Sequence, residues 1–232
     1  MKNLLFVLLA SALMASCQTG IVGSGIVAEE IRETAPFHSI DIKGSYRIFL
    51  SPDNYSSLKI KADDNFMEHI VTYVEGGELV VESNKNFNDY QALELYITVK
   101  DLEGIELAGA CDLKSKGTFS SDEMDIELAG AIELSLAIAC EDLSVEMAGA
   151  CEANLSGTAT EASFDGAGAS TINAENLITQ ICHVDMAGSG EAKVHATKEL
   201  DIDAAGAVDV YYAGKPKKLT QNMAGASSVK AL

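Results

Sequence analysis

Apolar and acidic residues alternate in short runs through the second half of the chain. Ile105-Glu106-Leu107, Ile126-Glu127-Leu128, Val145-Glu146-Met147, Phe164-Asp165-Gly166, Val184-Asp185-Met186 and Ile202-Asp203-Ala204 each read inward, outward, inward. This period of two predicts a strand with one buried face. Each run leads into Ala-Gly followed by Ala or Ser, centred on Gly109, Gly130, Gly149, Gly168, Gly188 and Gly206, with a seventh copy at Gly225. Beyond the glycine the alternation resumes, as in Cys111-Asp112-Leu113, Ile132-Glu133-Leu134 and Val208-Asp209-Val210.

The glycines lie 21, 19, 19, 20, 18 and 19 residues apart. A near-constant period marks a stacked repeat architecture. Each repeat therefore predicts a strand, a tight corner at the glycine and a second strand, because glycine accepts positive φ without steric cost. A second, looser corner is predicted near Gly117, Gly157 and Gly214. The expected fold is all-β, a two-sheet parallel β-helix with coils of about 19 residues stacked about 4.8 Å apart. A leucine-rich repeat is disfavoured by the missing Leu and Asn ladder. The six-residue period of hexapeptide acyltransferases is absent too.

The first half is less regular. Residues 36–100 read as strands, irregular or sandwich-like, with Gly44-Ser45 echoing the later corners. Asp63-Asp64-Asn65 is placed to cap a short helix over Phe66 to Ile70. The expected organisation is a signal peptide over residues 1–16, a tether over 17–30, an N-terminal β region over 31–100 and the repeats over 101–232. Lys2 and the apolar run Leu4 to Met14 make the leader. Its end, Leu13-Met14-Ala15-Ser16-Cys17, resembles the lipobox of bacterial lipoproteins, which implies cleavage before Cys17 and lipid attachment to it. Met14 departs from the commoner Leu, Val or Ile. The expected location is the cell envelope, as an outer-membrane lipoprotein facing either side.

Composition narrows the partners. The net charge is −19, which argues against nucleic acid and anionic surfaces. Aromatic residues make up 6% and Trp is absent, which suits a narrow core of small and aliphatic side chains. Cys111 and Cys151 share a column two coils apart, beyond the reach of a disulfide. They are expected as small core residues.

Chemistry-bearing residues gather in columns. Glu106, Glu127, Glu146, Asp165, Asp185 and Asp203 form a candidate interaction ladder before the corner. Asp112, Glu133, Glu152, Glu191 and Asp209 flank the other side. Such carboxylates either solubilise an outer face or bind a divalent cation such as Ca²⁺, weakly, or a basic partner surface. No cofactor is expected. The four histidines share no column, and Arg32 and Arg47 precede the repeats, so a pectate-lyase-like enzyme is the competing reading rather than the preferred one. Tyr211-Tyr212 and Lys215-Pro216-Lys217-Lys218 read as a loop before the last coil. That coil carries Asn222 and Ser228 in place of carboxylates and is a candidate surface for pairing with a second copy.

Gly23-Ser24-Gly25, Glu29 to Arg32, Phe37-His38-Ser39-Ile40, Leu58 to Asn65 and Val74 to Leu79, followed by the small-Gly-small repeats, resemble the auto-transporter adhesin head GIN domain family, a domain of unknown function. The resemblance spans roughly residues 30–220. It implies a right-handed β-helical fold in lipoproteins of Bacteroidetes-type bacteria and a role in adhesion, with no catalytic residues to carry over. The preferred reading is a non-catalytic envelope scaffold or adhesin-like domain. It would bind a glycan or protein, of the host or of the envelope, through an extended face. A periplasmic structural module without a ligand is the remaining alternative.

Overall fold

The computed structural model describes residues 20–232; the leader and Cys17 lie outside the described residues. The fold is all-β. The strands are β1 (Ile21–Val22), β2 (Val27–Arg32), β3 (Ser39–Gly44), β4 (Arg47–Pro52), β5 (Ser57–Asp63), β6 (Ile70–Glu75), β7 (Glu78–Ser83), β8 (Phe87–Asn88), β9 (Leu93–Val99), β10 (Gly104–Gly109), β11 (Asp112–Ser120), β12 (Glu123–Ala213), β13 (Lys218–Gly225) and β14 (Ser228–Ala231). The one helical stretch among the described residues is a 3-10 turn, Asp64–His69.

β12 is 91 residues of extended backbone, folded by its glycines. Gly130, Gly149, Gly168, Gly188 and Gly206 all have φ between +108° and +124°. The repeats pair in parallel, in the register that the sequence alignment predicts. Gly104–Gly109 lies against Asp125–Gly130, and Glu199–Gly206 against Lys218–Gly225. The glycines form a continuous column. A methyl group on any of the seven repeat glycines would lie 2.1–2.6 Å from the carbonyl oxygen of the glycine stacked before it. Only glycine fits there, for space as well as for φ. Gly117, Gly157 and Gly214 also have positive φ, at +90°, +114° and +90°, so the second corner lies where the sequence placed it.

The column begins one rung earlier than the seven copies. Gly44 is in register with Gly109, and β3 and β4 pair with β10 and β11. The stacking order departs from chain order here. β7 and β9 lie on the far side of β3 and β4, so the rung of residues 39–52 sits between residues 78–99 and 104–120. The sheet is mixed, not wholly parallel. β5 runs antiparallel to β9, β2 antiparallel to β5, and β6 antiparallel to β7. These antiparallel strands close the N-terminal end of the stack. The segment read as a tether, 17–30, contains β1 and the first four residues of β2, so it is built into this end from Ile21 onward.

Asp63 does not cap the 3-10 turn, and no side-chain cap bond forms there. Instead its buried carboxylate accepts the backbone N–H groups of Gly25 at 2.8 Å, Gln91 at 2.9 Å and Ala92 at 3.1 Å. It thereby ties three segments of the N-terminal end together. Burial acts to raise its pKa, but the three N–H bonds outweigh burial and hold it below the usual carboxylate range.

The core is a set of inward columns. Ile40, Ile105, Ile126, Val145, Phe164, Val184 and Ile202 are each at most 2% exposed. Each such apolar side chain contributes about 1.5–3 kcal/mol relative to exposure. Cys111, Cys140, Cys151 and Cys182 are free thiols. Burial pushes the Cys182 thiol up to about 12 and Cys140 up to about 11, so both are poor nucleophiles near neutral pH. At the C-terminal end β13 and β14 pair only inward, with β12, and leave Leu219 and Met223 exposed.

Candidate functional site

The outer face before the glycine bends carries the predicted ladder. Glu106 stands opposite Glu127 on one side and Asp41 on the other, and Asp203 opposite Asn222. The column therefore starts with Asp41, which the sequence reading left out. Glu127, Glu146, Asp165, Asp185 and Asp203 are exposed, while Glu106 is half-buried. Glu106, Glu127, Glu146, Asp165 and Asp185 line a shallow hollow of about 430 Å³ beside the glycine column. Lys43 reaches this column at one end only, 2.6 Å from Asp41 Oδ2 and 3.9 Å from Glu106 Oε1. Burial, helped by the carboxylates of Asp41, Glu127 and Glu78 and opposed by Lys43, raises the Glu106 pKa above the usual range. The ladder thus concentrates negative charge on one face. Among the described residues no three of His, Cys, Asp and Glu are grouped where they could hold a metal ion.

The face beyond the bends is built differently. Its flanking column runs Glu29, Lys61, Glu94, Arg47, Asp112 and Glu133 in pairing order. Glu152 follows Glu133 by one repeat. Lys61 Nζ lies 3.1 Å from Glu94 Oε2. Arg47 lies 3.8 Å from Glu94 and 3.9 Å from Asp112. Lys114 Nζ lies 3.1 Å from Asp112, and Lys193 Nζ 2.5 Å from Glu191. A hydrogen bond from Tyr96 Oη, opposed by burial and reinforced by Lys61 and Arg47, holds the Glu94 carboxyl below its ordinary range. On this face Glu94, Asp112, Glu133 and Glu191 carry counter-charges; on the other face Lys43 supplies one at the Asp41 end.

A second column stands beside it: Ile31, Lys59, Tyr96, Phe49, Lys114 and Ser135 in pairing order. Asn154, Asn173, Lys193, Tyr211 and Lys230 continue it at the same offset from the glycines, with Tyr211 opposite Lys230. Phe49 and Tyr96 stack with centroids 4.9 Å apart, and Lys59 Nζ sits 4.4 Å from the Tyr96 ring centre. The sequence reading missed this column because its residue types change from rung to rung. The signal available was position alone, five residues after each glycine. Tyr211 and Tyr212, expected in a loop, instead lie within β12, which ends at Ala213; Lys218 opens β13, which leaves Gly214 to Lys217 as the connecting loop.

Residues 36–216 match the family described as "Putative auto-transporter adhesin, head GIN domain" (DUF2807). The chain belongs to this family. Among solved structures it is similar to a "putative adhesin" from Bacteroides fragilis, with 24% identity, a TM-score of 0.86, and 92% of this chain and 100% of that one covered. It is similar also to a "putative lipid binding protein" from Parabacteroides distasonis, with 22% identity, a TM-score of 0.73, and 91% and 99% covered. A "putative adhesin" from Parabacteroides merdae matches at 17% identity, a TM-score of 0.68, and 91% and 98% covered. At these identities the likenesses show the fold. No curated protein matches the chain. Among the described residues no helix is long and apolar enough to cross a membrane.

Proposed function

We propose that this chain is a non-catalytic, lipid-anchored protein of the cell envelope that binds a partner across an extended face of a right-handed parallel β-helix. The observation that carries the reading is the ladder from Glu106 to Asp203. It repeats one carboxylate per rung and keeps a single lysine at its end. It lines a hollow and not a pocket closed around a reacting group. Such a surface suits a partner that presents spaced positive charges, a basic protein segment above all. A rigid array loses little conformational entropy on binding. Calcium is the weaker choice, since the acids stand singly on separate rungs.

Lipid attachment at Cys17 would place the anchor three residues before Gly20, and Ile21 is already paired with Phe87. Three residues span about 10 Å at most. The closed, antiparallel end of the stack would then face the membrane and the ladder would run away from it. Mass spectrometry of the membrane-extracted protein is expected to show an N-terminal peptide starting at a lipid-modified Cys17; a free Cys17 thiol would rule the anchor out. Protease treatment of intact cells is the test of adhesion. Digestion supports an outward-facing adhesin-like domain, and protection a periplasmic scaffold. Titration with deca-lysine is expected to show salt-sensitive binding that weakens in Glu127→Gln/Glu146→Gln/Asp165→Asn and persists in Glu133→Gln/Glu152→Gln/Glu191→Gln. Equal loss in both variants would reduce the ladder to a solubilising surface. Titration with Ca²⁺ is expected to release no heat.

A further inference from the structure

We propose that the opposite face, beyond the glycine bends, binds a neutral oligosaccharide laid across successive rungs. The proposal deepens the extended-face reading above but uses different residues. Two hollows of about 520 and 560 Å³ adjoin on this face, divided by the contact of Asn154 Nδ2 with Glu152 Oε1 at 3.2 Å. Charge on this face is partly paired, through Lys61, Arg47, Lys114 and Lys193. What it offers is unspent hydrogen-bonding capacity.

In the second hollow Asn173 Nδ2 donates to Asn154 Oδ1 at 2.9 Å and to Glu152 Oε1 at 3.3 Å, which leaves Asn173 Oδ1 without a donor among the described residues. Glu152 borders the first hollow and Asn154 the second, so carboxylate and amide groups stand side by side where the two meet. A sugar hydroxyl donates to a carboxylate and accepts from an amide through the same oxygen. It thus fits acceptors interleaved with amide N–H groups, where an anion would be repelled. Tyr90, 39% exposed at the rim of the first hollow, supplies an apolar ring face against which a pyranose can stack. Rungs advance by about 4.8 Å, close to the advance of one sugar unit in an extended chain, so successive rungs meet successive rings.

The test is a screen of the protein against immobilised neutral and acidic glycans, followed by calorimetry with the neutral hexasaccharide that binds best. Expected is binding to neutral glycans that tightens from disaccharide to hexasaccharide and is insensitive to salt. Asn154→Ala/Asn173→Ala should weaken it about tenfold or more, the worth of roughly one hydrogen bond to a charged network. Tyr90→Ala should weaken it as well. Melting temperatures identify misfolding, and Asn154→Ser/Asn173→Ser then takes the place of the alanine pair. The proposal is overturned if no neutral glycan binds, if only acidic glycans bind, or if the asparagine variants bind as the parent does. It is also overturned if binding is lost in Glu127→Gln/Glu146→Gln alone. That last result removes this site while the acidic ladder stands; deca-lysine binding lost with glycan binding intact does the reverse.

Discussion

Gly168 and Gly166 stand two residues apart and face opposite constraints. Gly168 has φ +108°, and a methyl group there would lie 2.6 Å from Gly149 O. Gly166 has no such φ, and its methyl group would meet Met186 and Ser170 at 3.4–3.5 Å, ordinary contact. Gly168→Ala is expected to cost roughly 2–4 kcal/mol and to lower Tm by about 6–12 °C. Gly166→Ala is expected to be neutral or to gain about 0.5 kcal/mol. Thermal melts of the two variants check the pair. Asp63 and Glu106 make a second contrast. The pKa of Asp63 is lowered in the fold, so its contribution is present above the usual carboxylate range and is lost as pH falls through the lowered value. Asp63→Asn should cost about 2 kcal/mol at neutral pH. The pKa of Glu106 is raised, so its stabilising effect belongs to low pH and fades as pH rises through the raised value. Glu106→Gln should therefore raise Tm at pH 7 and leave it nearly unchanged at pH 4.

At the level of strands, the last rung is the least supported. β13 and β14 carry no buried residue, unlike the rungs before them. Their backbone amides are expected to exchange with deuterium at least about a hundredfold faster than those of Asp125–Gly130, since local opening there exposes little apolar surface. Equal protection would show that something covers the open edge. This level also shows how far the sequence could be read. Both corners, the inward columns and the ladder were legible because each recurs at a fixed offset from a glycine. The antiparallel strands β2, β5 and β6 were not, because alternation encodes which face is buried and not the direction of a neighbour. Arg47, Lys61 and Glu94 were missed for a related reason. The rung holding β9 stacks outside the rung holding β4, so order along the chain is not order in the column. The second hollow went unread because Ser135, Asn154 and Asn173 share a position and not a type, whereas Asp112, Glu133 and Glu152 of the first were legible as an acidic column.

For the whole molecule, charge is the dominant long-range term. Carboxylates about 5 Å apart repel by roughly 0.8 kcal/mol per pair even in bulk water. The net charge of −19 sums over many such neighbours. Raising salt from about 0.05 to 0.5 M shortens the screening length from above 10 Å to a few ångströms. Tm is expected to rise by several degrees over that range, and the rise should shrink in the ladder variant Glu127→Gln/Glu146→Gln/Asp165→Asn. A flat response would mean that the fold already disperses its charge.

The two ends of the stack are built differently. Antiparallel strands seal the first rung, whereas at the other side of the stack β13 and β14 repeat the glycine bend and, among the described residues, pair with β12 alone. Length is therefore a free variable of this design. Duplicating one 19-residue unit ahead of Lys218 would lengthen the molecule by a single strand spacing without disturbing its sealed base, so gene-level gain or loss of units offers a way to tune reach.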